Sequence, residues 1–147
     1  MLSLNKHIWL YFLLLFMGFT NIKAQNIEVI ITDIRSTQGQ IIIGIYKDEQ
    51  SFKDDMPFLR KKFEKNTVSN GELKVNLSLS PGTYGFALLD DENSDDKMNY
   101  SIVGIPKEGF GFSNYYNNSL TRPKFDVFKF EVQENQNQKI FCKIKYM

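Results

Sequence analysis

The stretch GELKVNLSLSPGTYGFALLD, residues 71–90, decides the fold class. Leu73, Val75, Leu77 and Leu79 fall on one side of an extended chain and Glu72, Lys74, Asn76 and Ser78 on the other, the period of two that a strand with one wet face requires. Pro81 and Gly82 then turn the chain, and Tyr84, Phe86 and Leu88 resume the alternation, which reads as a hairpin.

The same reading extends in both directions. Upstream, NIEVIITDI (26–34) and QIIIGIY (40–46) are β-branched runs joined by RSTQG, a second hairpin; downstream, VFKFEV (127–132) and QKIFCKIKY (138–146) flank the polar turn QENQN, a third. Strands with short turns and one apolar face each imply an all-β, antiparallel sandwich of about seven strands. One segment breaks the pattern early. KDEQSFKDDMPFLRKKFEKN (47–66) predicts a short helix capped by Asp54 or Asp55, with Pro57 in its first turn and Phe58, Leu59 and Phe63 on one side, lying as a lid over one end of the sandwich. RKKFEK (60–65) then reads as the wet face of that helix. Cys142, the only cysteine, alternates with Phe141 and Lys143 and reads as a buried strand thiol, with no internal disulfide to form.

Residues 1–24 have the layout of a secretory leader: Lys6 precedes a 12-residue apolar run, Ile8–Phe19, interrupted only by Gly18. The run is shorter than the roughly 20 residues that span a bilayer. Cleavage after Ala24 leaves a single domain, 25–147, in the periplasm or outside the cell; Ile22, larger than the small residue favoured near a cut, keeps an uncleaved anchor as the other reading. Loss of the leader removes His7 and Trp9, the only His and the only Trp. Loss of Lys6 and Lys23 leaves 16 Lys and Arg against 17 Asp and Glu, a formal charge of −1. Scattered charge near neutrality argues against a nucleic-acid surface. A chain without histidine builds no Ser-His-Asp or Cys-His nucleophile and no His-ligated metal centre.

Binding groups are most often carried on loops held by a rigid scaffold, which turns attention to the aperiodic connection from Asp90 to Lys124. It opens on DDENSDD (90–96), five carboxylates in seven residues. Asp91, Asn93 and Asp95 have the alternate spacing of calcium-binding loops, continued by the carbonyl of Lys97 and the amide of Asn99. The loop is no EF-hand, because Asp96 stands at the sixth position, where that motif needs Gly, and Ile102 at the twelfth, where it needs Glu. A cation of the calcium type and a solvated acidic turn both remain open.

Further along, GIPKEGFGFSN (104–114) presents Lys107, Glu108, Phe110, Phe112 and Asn114, followed by Tyr115 and Tyr116. Two readings stand side by side: a binding loop whose aromatics stack on a sugar or hold a peptide, or a packed segment in which Gly109 and Gly111 permit close approach and the two Phe residues fill space under the loop.

Taken in order, Asp91-Glu92-Asn93, Gly104-Ile105-Pro106-Lys107-Glu108, Gly111-Phe112-Ser113-Asn114 and Pro123 with Phe125 resemble the pattern of a bacterial family of exported proteins, domain of unknown function 2141. The resemblance covers residues 82–130 most specifically and implies an immunoglobulin-like or transthyretin-like sandwich in an exported protein, with no activity attached. The chain departs from the family where Ser94 and Asp96 replace frequent Gly and Asn99 replaces a frequent Asp.

Two functions of different class follow. The first is a non-catalytic module that binds a protein, peptide or glycan through the 90–124 connection, stiffened by a cation. The second is a histidine-free hydrolase of the paired-carboxylate glycosidase type, with Glu108 and either Asp91 or Asp126 about 5 to 10 Å apart across a cleft. A domain of this size has little room for such a cleft. Lys143 and Lys145 on the last strand are of the kind that protect a sheet edge, and assembly through strand edges is a third possibility.

Overall fold

The computed structural model describes residues 23–119 and 121–147. The leader reading concerns residues 1–24, of which all but Lys23 and Ala24 lie outside the described residues. Among the described residues, eight strands form two sheets: β1 (Gln25–Thr32), β2 (Gln40–Tyr46), β3 (Leu59–Glu64), β4 (Leu73–Leu79), β5 (Gly82–Asp91), β6 (Gly109–Phe112), β7 (Phe130–Val132) and β8 (Gln138–Lys143). The smaller sheet has the order β4-β1-β8; the larger runs β3-β2-β5-β6, with β7 also pairing to β5. This is the all-β sandwich that the period of two implies.

The pairing differs from the hairpin reading at all three places. β1 and β2, β4 and β5, and β7 and β8 each lie in opposite sheets, so every expected hairpin is an arch across the core. The physical reason is clearest at Pro81-Gly82. Proline locks φ near −65°, whereas the tight two-residue hairpin turns need a positive φ at their first central position. The chain crosses over instead, and the Tyr84 hydroxyl donates to the Ser80 carbonyl at 3.0 Å, bracing the arch. The sheets are not wholly antiparallel either, since β8 runs parallel to β1, with Ile140 opposite Val29.

The main core between the sheets is built from the predicted inward faces. Leu73, Val75, Leu77 and Leu79 of β4 meet Ile41, Ile43 and Ile45 of β2 and Phe86 and Leu88 of β5. β4 keeps its alternate residues in water, as its sequence requires, but β2 is buried along almost its whole length. A second cluster on the outer face of the larger sheet accounts for this: Tyr46, Phe52, Phe112, Phe125 and Phe128, packed edge to face, with Phe52 and Phe128 centroids 4.9 Å apart.

Phe52 sits on the single described α-helix, α1 (Glu49–Lys53), and this element corrects the 47–66 reading. Asp48, not Asp54 or Asp55, is the cap; its carboxylate accepts from the Ser51 N–H at 2.7 Å. Pro57 lies beyond the helix, because proline disfavours helical backbone in the residue before it. The chain from Leu59 to Glu64 is then edge strand β3, so RKKFEK is strand and not the face of a helix. Arg60, Lys61 and Lys62 stay in water and protect that edge, while Lys65 is 1% exposed. The helix covers the outer face of the larger sheet rather than an end of the sandwich.

Cys142 is 1% exposed in the main core, and burial pushes its thiol well above the ordinary range. It is expected to react with a thiol reagent only after denaturation; stoichiometric labelling of the native protein within minutes would contradict this placement.

Candidate functional site

The register of two neighbouring strands builds the site. β5 pairs antiparallel with β6, with Asp90 opposite Gly109, so the 92–108 loop leaves and re-enters the sheet at the same end of the two strands. Asp91, at the end of β5, is thereby brought to Glu108, which precedes β6. Gly39 allows the preceding connection to pass beneath: its φ is +75°, and a Cβ there would run into the Asp91 carbonyl.

The five acidic residues of the opening motif divide into two sets. Three have protein cations. Asp90 is fully buried and takes an ion pair from buried Lys65 and a hydrogen bond from the Tyr146 hydroxyl. Arg35 grips Glu92 with two bonds, at 3.0 and 2.6 Å, while its guanidinium lies 4.2 Å from the centre of the Tyr146 ring. That fork holds the Glu92 carboxyl below its usual range. Asp96 pairs with Lys62 at 2.7 Å.

Asp91 and Asp95 have none among the described residues, and they converge with Glu108 on one point. Each of the three offers a carboxylate oxygen, and these oxygens lie within 4.8 Å of one another. Asp91 is fully buried and accepts from Gln40 Nε2 at 2.7 Å, the Asp95 N–H at 3.1 Å and the Asp96 N–H at 3.0 Å. Asp95 accepts from the Lys97 N–H at 3.2 Å and from Asn99 Nδ2 at 2.9 Å; the Asn99 amide is the first cause of its lowered pKa. Glu108 is 5% exposed. One oxygen, Oε2, accepts from the Asn99 N–H at 3.1 Å; the other, Oε1, is buried with no hydrogen-bond partner among the described residues. Burial, and then the neighbouring Asp91 and Asp95 charges, raise the Glu108 pKa, against the opposing backbone N–H groups of Asn99 and, more weakly, Glu92.

Of the expected ligand set, the structure brings Asp91 and Asp95 together and places the others in the scaffold. Asn93 Oδ1 accepts from the Asp95 N–H at 3.1 Å, and its amide donates to Asn99 Oδ1 at 2.8 Å. Lys97 enters through its backbone N–H, with its side chain in water. Glu108, expected on a binding loop, is the third carboxylate of the cluster. Its signal lay in strand pairing: a residue directly before the strand that returns beside β5 must face the end of β5.

The rest of the expected binding loop is mostly packed. Phe112 is 7% exposed and belongs to the outer cluster, Phe110 is half-buried against it, and Tyr115 is half-buried. Asn114 accepts from the Phe141 N–H at 3.0 Å. Lys107 is in water, as is much of Tyr116. Gly109 fits the close approach read from sequence, since a Cβ there would meet Ile144 and Tyr146.

The profile of the family described as "Uncharacterized protein conserved in bacteria (DUF2141)" matches residues 29–140. The chain belongs to this family. Searches of curated proteins and of solved structures return no match. The cluster of Asp91, Asp95 and Glu108 thus lies inside the DUF2141 domain. So do Ser94 and Asp96, both of which adopt left-handed backbone, with φ of 58° and 70°, a conformation that glycine takes at no steric cost. The acidic loop therefore keeps the backbone path that glycine would ease.

Sequence reasoning missed a groove on the outer face of the larger sheet of this DUF2141 domain. It has a volume of about 530 Å³ and is lined by Tyr46, Arg60, Met98, Tyr100, Phe110 and Arg122, among others. Its walls come from the α1 side and from the 96–106 stretch, the loop whose two ends meet at the carboxylate cluster. No helix among the described residues is long and apolar enough to cross a membrane.

Proposed function

We propose that the chain is a non-catalytic, exported binding module in which a calcium-type cation, held by Asp91, Asp95 and Glu108, locks the 92–108 loop. The groove walled by that loop then receives a protein, peptide or glycan. The observation that carries this reading is Glu108 Oε1, a buried carboxylate oxygen without a partner beside two further carboxylates. A buried polar atom without a partner is costly, and a buried charge more so. A divalent cation relieves both, and a donor set made only of oxygen suits a hard ion such as calcium rather than zinc or copper. Backbone carbonyls and water supply the remaining ligands of the six to eight that calcium takes.

The same geometry disfavours the hydrolase reading. Glu108 and Asp91 crowd one point, and Asp91 is fully buried, whereas an acid and base pair must flank a substrate and a water. Asp126 stands in water on a 3-10 turn, paired with Lys129 at 2.7 Å.

Thermal unfolding in chelator and then in millimolar calcium tests the proposal. Ligand present at about 100 times its Kd stabilises the native state by about 2.7 kcal/mol, which at this size raises Tm by several degrees. The rise is expected in the wild type and is expected to vanish in Glu108→Gln and in Asp91→Ala/Asp95→Ala. No rise, or an equal rise in the variants, would remove the cation from this cluster.

A further inference from the structure

The loop that the cluster locks ends in an apolar tip that the binding reading leaves unused. Four side chains at or beside the tip stand in water: Tyr100 is 57% exposed, Ile102 107%, Val103 78% and Ile105 44%. Ile102 makes no burying contact at all, and a Cβ on Gly104 would meet nothing within 4 Å. Isolated exposed aliphatics are ordinary, but this many in one short turn are not.

The tip is a built hairpin. The Ser101 N–H donates to the Ile105 carbonyl at 2.8 Å, the Gly104 N–H to the Ser101 carbonyl at 2.9 Å, and the Ile105 N–H to Ser101 Oγ at 3.0 Å. Below them, the Lys107 N–H donates to the Asn99 carbonyl at 2.9 Å. These N–H groups are satisfied within the turn, so moving it out of water leaves fewer polar groups without partners, the condition an apolar medium imposes. Exposed Lys97 and Lys107 flank the base of the hairpin, below Tyr100. A convex aliphatic tip, a tyrosine at its shoulder and lysines behind it match the depth profile of a lipid surface: acyl chains, then interface, then anionic headgroups.

We infer that the 100–105 tip inserts shallowly into an anionic lipid surface. The inference rests on the proposed cation in one respect. Asp95 is exposed on the same loop and, unlike Asp96 with its Lys62 partner, has no paired Lys or Arg among the described residues, so without a cation its charge offsets that of the lysines. A divalent ion on Asp91, Asp95 and Glu108 shifts the loop toward positive charge, and lipid binding then rises with calcium.

Co-sedimentation with phosphatidylglycerol/phosphatidylethanolamine vesicles, in calcium and in chelator, tests this beside pure phosphatidylcholine vesicles. The wild type is expected to bind the anionic vesicles in calcium. Ile102→Ser/Val103→Ser is expected to bind about tenfold or more weakly, since two exposed aliphatic side chains no longer partition. That variant should keep the wild-type calcium-dependent rise in Tm, which separates the tip from the cation cluster. Absence of vesicle binding in a protein that shows the Tm rise overturns the lipid inference alone. So does equal binding by the variant, or a wild-type self-association that the two substitutions abolish, which would make the tip a contact between copies. Tip-dependent binding that persists in chelator, with no Tm rise, supports insertion and overturns the cation reading.

Discussion

Replacing Lys65 with Ala is expected to destabilise the fold by about 3–5 kcal/mol, the range for breaking a buried ion pair by removing one partner. Lys65 is 1% exposed and Asp90 is fully buried, and the pair is completed by the Tyr146 hydroxyl, which also accepts from the Arg35 N–H at 3.1 Å. The network ties the end of edge strand β3, the last turn of β5 and the chain beyond β8 into one unit, directly beneath the acidic loop. Lys65→Ala leaves the Asp90 carboxylate in the core with a single hydroxyl partner, and that loss is a large share of the 5–15 kcal/mol typical of a domain. Lys65→Met/Asp90→Asn, which removes both charges, keeps volume and leaves the Tyr146 hydroxyl an acceptor, is expected to recover part of it. Urea unfolding of the single and double variants measures both effects. A loss below about 1 kcal/mol in Lys65→Ala would mean that the pair is not buried in solution.

Lys65 also shows where sequence reading ran out. Within RKKFEK it stands beside Arg60, Lys61 and Lys62, which face water, and charge alone cannot separate the fourth cation from its neighbours. What separates it is Asp90, 25 residues away on β5. The legible features were those set by local chemistry. β4 declares its inward face in three leucines and one valine, and Cys142 its burial in the alternation around it. The pairing of strands was not legible, because an alternating strand is satisfied equally by a hairpin neighbour or by a facing sheet. Pro81 held the relevant signal, read as a turn when its fixed φ pointed to an arch. The candidate site followed the same division: Asp91 and Asp95 were legible from their spacing, while Glu108 became a partner only through the β5–β6 register.

The pH dependence of stability should reverse its meaning when calcium is added, and Glu108 is the group responsible. Its folded pKa is raised from the ordinary value of 4.5, so the native state holds this proton more tightly than the unfolded chain does. In chelator, the contribution of Glu108 is therefore fully present below the ordinary value and is lost as pH rises through the folded one. Glu92 and Asp95 act in the opposite sense. Their lowered values give stability that is present above the ordinary carboxylate range and lost in acid below it. The two effects occupy different windows, so the Glu108 decline is read on the neutral side of about pH 4.5, where the others have levelled.

A cation bound as proposed would require the carboxylate and compete with that proton. Below the raised Glu108 value, the apparent calcium affinity is expected to fall by up to about tenfold per pH unit. The Tm increment from calcium should then be larger above the raised Glu108 value than below it, while the chelator curve runs the other way. Glu108→Gln is expected to flatten the chelator curve across that window and to lose most of the calcium increment at every pH, because an amide neither titrates nor supplies charge to the ion. Calorimetric titration with calcium at several pH values checks the coupling directly, through protons released on binding. Binding whose proton release is the same in Glu108→Gln as in the wild type would place the cation on carboxylates other than Glu108.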